Sequence, residues 1–139
     1  MSARTKARKR AVDALFAADL REGMPNELLD EAERASEDRS SQQEIFNYAR
    51  EAVFGVLQHQ AEIDEQLQTY AQGWTLNRMP ALDRAILRLA TWEILFNDEV
   101  PDAVAIDEAV ELAKEYSTDS SAGFVNGLLG KIVSTRTAL

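Results

Sequence analysis

The stretch Pro80-Ala81-Leu82-Asp83-Arg84-Ala85-Ile86-Leu87-Arg88-Leu89-Ala90-Thr91-Trp92-Glu93-Ile94-Leu95-Phe96-Asn97 decides the fold class. Its apolar residues recur at helical spacing and cover most of the circumference, from Leu82, Ala85, Ile86 and Leu89 to Ala90, Trp92, Ile94, Leu95 and Phe96. An α-helix apolar nearly all round is a buried one, so this segment is predicted at the centre of the C-terminal half. Pro80 suits the first turn, and Asp83 complements the positive end of the helix dipole.

Outward from this segment, the same periodicity continues in both directions. After the break Asn97-Asp98-Glu99-Val100-Pro101, residues Asp102 to Tyr116 place Val104, Ile106, Ala109, Val110, Leu112, Ala113 and Tyr116 on one side. A last helix follows the cluster Ser117-Thr118-Asp119-Ser120-Ser121, with Phe124, Leu128 and Ile132 at successive turns. Towards the N-terminus, a long helical stretch is predicted from about Gln42 to Gln72, bending near Gly55 or His59. A loop at residues 37–41 and a short acidic helix from about Asn26 to Ser36 precede it. A first helix is predicted from Arg4 or Lys6 to Arg21, its stripe made of Val12, Leu15, Phe16 and Leu20, ending before Gly23 and Pro25. No convincing alternating run for a strand occurs. The expectation is an all-α domain in one piece, with an N-terminal part of about 1–72 and a C-terminal part of about 73–139, divided at Gly73 and the turn Asn77-Arg78-Met79-Pro80.

At 139 residues and 45 % hydrophobic content the chain can bury a core without staples. It has no cysteine, which excludes disulfides and thiolate metal sites, and no stretch approaches a membrane span. A cytoplasmic, soluble protein is expected. His59 is the only histidine and lacks the surroundings of a zinc site or a catalytic triad. No phosphate loop, dinucleotide fingerprint or calcium loop is present. Neither a metal nor a cofactor is expected, and His59 is read as a surface or boundary residue.

The charge is strongly polarised. Net charge is −9, yet Arg4, Lys6, Arg8, Lys9 and Arg10 fall within the first ten residues, which contain no acid. An acidic body repels nucleic acid while such an arm attracts phosphate, so one docking end is expected rather than an adhesive surface. At 100° per residue Arg4 and Arg8 fall in the sector of Val12 and Leu15, whereas Lys6 and Arg10 point nearly opposite. A helix end charged on every side is expected to project beyond the bundle or fray, free for phosphate in either case. A solubilising tail is the plainer alternative.

Ser117, Thr118, Ser120 and Ser121 set hydroxyls beside the free N–H groups of a helix start, which suits phosphate oxygens, although Asp119 opposes this and N-capping alone explains the composition. Phe124 has the chemistry to stack on an unpaired base, with burial as the competing fate. Asn126 is read first as an internal hydrogen-bonding residue and second as a base reader. Gly123, Gly127 and Gly130 share one side of the last helix at a cost of roughly 1 kcal/mol each relative to alanine. They imply a close backbone approach, in the first instance by a neighbouring helix.

Four blocks in order carry a resemblance: the arm with Ala11-Val12-Asp13-Ala14-Leu15-Phe16, then Leu82 to Arg88, then Val104-Ala105-Ile106-Asp107-Glu108-Ala109-Val110-Glu111-Leu112-Ala113-Lys114, then Phe124-Val125-Asn126-Gly127-Leu128-Leu129. Over essentially its whole length the chain resembles the NusB family of bacterial transcription antitermination factors. The resemblance implies two packed helical bundles without catalytic activity. It implies binding of the boxA element in nascent ribosomal RNA, as a single strand, together with NusE, a ribosomal small-subunit protein, in the transcription elongation complex. RNA-binding residues would be Arg4, Lys6, Arg8, Lys9, Arg10, Phe16, Ser117, Thr118, Ser120, Ser121, Phe124 and Asn126. Asp83 would meet NusE, with Arg84 and Arg88 beside it. Some members of the family form homodimers. Two other readings stand beside this one: a helical protein-interaction module, and the N-terminal helical domain of a ribosomal RNA cytosine methyltransferase, whose cofactor domain and catalytic cysteine this chain lacks.

Overall fold

The computed structural model of the chain describes residues 2–21, 23–36 and 40–138, and the part of the expected loop at residues 37–39 lies outside them. The described residues form seven α-helices: α1 (Ala3–Arg21), α2 (Pro25–Ala35), α3 (Gln43–Gln58), α4 (Gln60–Tyr70), α5 (Ala81–Phe96), α6 (Asp102–Tyr116) and α7 (Asp119–Ala138). No strand occurs among them, as the periodicity predicts. A single 3-10 turn, Leu76–Arg78, precedes α5.

Helix α5 is the hub. It touches α1 and α3 on one side and α4, α6 and α7 on the other, so it is central to the whole molecule and not only to its C-terminal half. Ala85, Ile86, Leu87, Leu89, Ala90, Trp92 and Ile94 are all buried. Each large side chain among them contributes roughly 1.5–3 kcal/mol by leaving water. Helix α1 lies against α2, α3 and α5, and α6 pairs with α7.

The long stretch predicted after residue 42 is two helices. α3 runs straight through Gly55, and the chain breaks at His59, whose backbone leaves the helical region with φ −113° and ψ 19°. Gly55 serves packing: a Cβ there would stand 2.0 Å from Trp92 Nε1, so only glycine admits the indole of α5 against α3. The His59 ring stacks on Phe96 at 3.8 Å and 11°, which ties the break to the end of α5. Beyond the break α4 packs mainly on α5 and α7. Gln72 (φ 49°) and Gly73 (φ 91°) then turn the chain through left-handed backbone towards α5.

Candidate nucleic-acid interface

The basic arm is helical from Ala3 onward. The Ser2 hydroxyl accepts the Thr5 N–H at 3.0 Å, capping the first turn. The expectation of a projecting or frayed end is corrected here: the end is helical, Thr5 donates to Glu108, and from Ala7 to Leu15 α1 packs through a narrow face of small residues. Ala7, Ala11 and Val12 are fully buried and Ala14 nearly so. Alanines one turn apart let α1 approach α3 and α5 closely, and the charges splay to either side of this seam.

Arg8 falls on the seam itself and is 3 % exposed. Its Nε donates to both carboxylate oxygens of Glu93, at 2.9 and 3.1 Å, and its Nη1 lies 3.6 Å from Glu108. Tyr48 donates its hydroxyl proton to Glu93 at 2.5 Å, and Asn97 Nδ2 donates to the Tyr48 oxygen at 3.1 Å. Burial pushes the Glu93 carboxyl above the ordinary range against the pull of Arg8. Burial and the adjacent carboxylate hold the Tyr48 phenol well above its own. Arg8 is therefore a buried ionic partner of α5, not a free phosphate ligand; its charge is consumed by Glu93.

The other four cations remain at the surface. The Arg4 guanidinium lies 3.7 Å over the Tyr48 ring, and that of Arg10 lies 5.3 Å over Phe46 while its Nη2 donates to Gln42 Oε1 at 3.5 Å. Lys6 is exposed. Lys9 Nζ sits 2.8 Å from Glu115 and 5.7 Å over the Tyr116 ring, and the hydrogen bond to Glu115 raises its pKa. Lys6, Lys9 and Arg10 line a cleft of about 610 Å³ with Asp13, Gln42 and Tyr116. Burial raises the Asp13 carboxyl within it, opposed by Arg10 and Lys9. Phe16 is half-buried, packed against the core two turns beyond Lys9 on the same helix.

The Ser/Thr cluster caps α7. Thr118 Oγ1 accepts the Ser121 N–H at 3.0 Å, and Ser117 and Ser121 hydroxyls share a hydrogen bond of 2.9 Å. Thr118 and Ser120 are exposed, and Ser121 Oγ donates to Asp83 Oδ2 at 2.9 Å. Phe124 is half-buried in a tilted pair with Trp74, centroids 6.2 Å apart at 57°. Asn126 is exposed, which overturns its reading as an internal residue. The glycine expectation is likewise corrected: Cβ atoms added at Gly123, Gly127 or Gly130 would meet nothing within 4 Å, so these residues face open space and no neighbouring helix.

Asp83 is 3 % exposed and lies behind Ser121, not at the surface. Arg84 bonds Asp19 at 3.2 Å and the Leu76 carbonyl at 2.7 Å. Arg88 makes a two-pronged pair with Asp64 at 2.9 and 3.0 Å. All three residues proposed for a partner thus hold α5 to its own neighbours.

Lys9 contacts Tyr116, the last residue of α6, and the cap of α7 begins at the next residue, Ser117. Sequence reading missed Tyr116, Glu115, Tyr48 and Trp74. Trp74 carried a signal: a large aromatic in a turn, beside Gly73, with no helical register to bury it.

Comparison with known proteins places this surface in context. The NusB family model matches residues 5–134. The chain is 62 % identical over 137 residues to the transcription antitermination protein NusB of Leifsonia xyli, covering 98 % of this chain and 94 % of that protein. It is 56 % identical to that of Clavibacter sepedonicus, covering 98 % and 99 %. Among solved structures, T. maritima NusB superposes with a TM-score of 0.82 at 35 % identity, covering 94 % of this chain and 90 % of that one. A chain in a crystal structure of antitermination factors NusB and NusE in complex with dsRNA superposes with a TM-score of 0.82 at 27 % identity, covering 97 % and 98 %.

Proposed function

The chain belongs to the NusB family, and on that premise we propose that it is an RNA-binding transcription antitermination factor that acts with NusE on the boxA element of nascent ribosomal RNA. The observation that supports this reading is the cleft lined by Lys6, Lys9, Arg10 and Tyr116, with the capped start of α7 following Tyr116 directly in the chain. The cleft supplies attraction to phosphate, and the α7 end supplies shape and stacking. The acidic body restricts adhesion elsewhere. This role needs no cofactor and no catalysis, and it places the protein in the cytoplasm, where transcripts arise.

The cations set the scale of binding. With Arg8 neutralised internally, four cations of the arm remain, which limits the slope of log affinity against log salt to about −2.8 on a single strand. Such binding is modest alone, so a partner adding a second RNA surface raises it through effective concentration.

The test is titration of boxA RNA and a scrambled RNA, with and without NusE, against wild type and a variant with Lys6, Lys9 and Arg10 changed to Gln. The expected result is preference for boxA, enhancement by NusE and a salt slope shallower by about 2 in the variant. Unchanged affinity and slope would remove the arm from RNA binding.

A further inference from the structure

We propose that Asp13 reads a guanine of the RNA strand, as the one acid in a cleft that otherwise offers cations, amide and hydroxyl groups and apolar walls. The inference rests on the RNA-binding reading and adds a base preference to the arm, which that reading uses only for phosphate. Lys6, Lys9, Arg10 and Asp13 stand at i, i+3, i+4 and i+7 of α1, so all four project from one side of the helix over two turns. The four line the same cleft of about 610 Å³, and Ile45 of α3 and Tyr116 of α6 form its other walls. A nucleotide fits such a volume.

Asp13 is exposed, and no other acid lines this cleft among the described residues. It feels the charges of Arg10 and Lys9 but forms no ion pair or hydrogen bond with any described residue. Lys9 is taken by Glu115, and Arg10 by Gln42 and the Phe46 ring. The charge of Asp13 also reaches Tyr116, whose phenol is raised first by burial and next by this carboxylate. An accessible acceptor thus sits beside the aromatic wall of a cationic cleft.

The choice of guest follows from what a carboxylate accepts. A phosphate is repelled by it, so the phosphates go to the cations and another part of the nucleotide meets Asp13. A carboxylate has two acceptor oxygens and no donor, so its best partner presents two N–H groups side by side. Among the four bases only guanine does this, through N1–H and the 2-amino group of its Watson–Crick edge. Adenine and cytosine set a ring-nitrogen acceptor beside the amino group, and uracil sets a carbonyl on either side of its single N–H. Each of those edges gives one hydrogen bond and at least one repulsion. A surface acid that only tempers the charge of the arm would show no base preference.

The experiment titrates the full chain, alone and with NusE, with short oligouridylates carrying guanine, adenine, cytosine or hypoxanthine at one central position. Hypoxanthine keeps N1–H and lacks the 2-amino group. Wild type is expected to prefer guanine to adenine and cytosine about five- to tenfold, with hypoxanthine between them. Asp13→Ala is expected to bind every oligomer more tightly at low salt, because an acid leaves a basic cleft, and to lose the guanine preference. If Asp13→Ala fails to fold, the wild-type series decides. Equal affinity for guanine and hypoxanthine, or an Asp13→Ala that shifts all oligomers by one factor and keeps the preference, would overturn the reader and leave the RNA reading intact. Absence of RNA binding even with NusE would overturn both. Free guanosine 5′-monophosphate binding as tightly as the guanine oligomer would make the cleft a site for a free nucleotide and overturn the reading of a strand.

Discussion

Arg8 Nε and Glu93 Oε2 stand 2.9 Å apart with side chains 3 % and 1 % exposed, so a residue of the basic arm is locked inside the molecule against the central helix. This pair, extended by Tyr48, Asn97 and Glu108, fixes the rotation of α1. Arg8 faces inward, and Lys6 and Arg10 consequently face the cleft.

Removal of Arg8 leaves the buried Glu93 carboxyl without its cation, hydrogen-bonded by Tyr48. Arg8→Ala is therefore expected to cost about 3–5 kcal/mol of stability in urea denaturation, and the double change to Met at position 8 and Leu at position 93 to recover most of it. Unaltered stability with weakened RNA binding would instead make Arg8 an RNA ligand.

Tyr48 gives this cluster an alkaline weakness. The folded state holds its phenol above the ordinary value of 10.0, chiefly by burial and then by the charge of Glu93. Above about pH 10.0 an unfolded Tyr48 releases its proton while the folded one retains it, so the unfolded state binds fewer protons and stability falls as pH rises. Its contribution is complete below that pH and is lost on the way to the raised folded value. Urea titrations across the alkaline range should show this decline, and Tyr48→Phe should make it shallower; an equally steep decline in the variant would assign it elsewhere.

Glu115 competes with RNA for Lys9. Its carboxylate is about half exposed, so solvent screens the pair and it adds little to the fold. Glu115→Gln is expected to strengthen RNA binding about two- to fivefold at low salt without a change in melting temperature. A weakened complex would show that Glu115 positions Lys9 rather than withholding it.

The glycines separate into two kinds. Gly123→Ala, Gly127→Ala and Gly130→Ala meet open space and should each stabilise α7 by about 0.5–1 kcal/mol. Gly55→Ala drives a methyl into the Trp92 ring and should destabilise by about 1–3 kcal/mol. Thermal melts read both. An α7 variant that melts higher yet binds RNA more weakly would show that the bare face is kept for a ligand.

Much of this was legible in the chain. Helical spacing marked every helical stretch, with α3 and α4 read as one, because periodicity is a local property: α6 begins and ends at Asp102 and Tyr116 as predicted, and α5 within a residue of its predicted ends. The split of the long stretch at His59 was less visible. A break there depends on Phe96 receiving the imidazole from a distant helix. The fate of Arg8 had a local hint, since it falls in the sector of Val12 and Leu15, but its tolerance for burial came from Glu93, 85 residues away.

By itself the sequence determined an all-helical chain, a central apolar helix, a charge concentrated at one end and the blocks that mark its family, since each of these is carried by neighbours along the chain. The tertiary structure decided which cations stay at the surface, that Asp83 is buried with one oxygen unpaired among the described residues, and that Trp74 stands beside Phe124. Those outcomes depend on what each side chain meets across the fold. Burial, ion pairing and stacking are set by partners distant in sequence, and no local pattern encodes them.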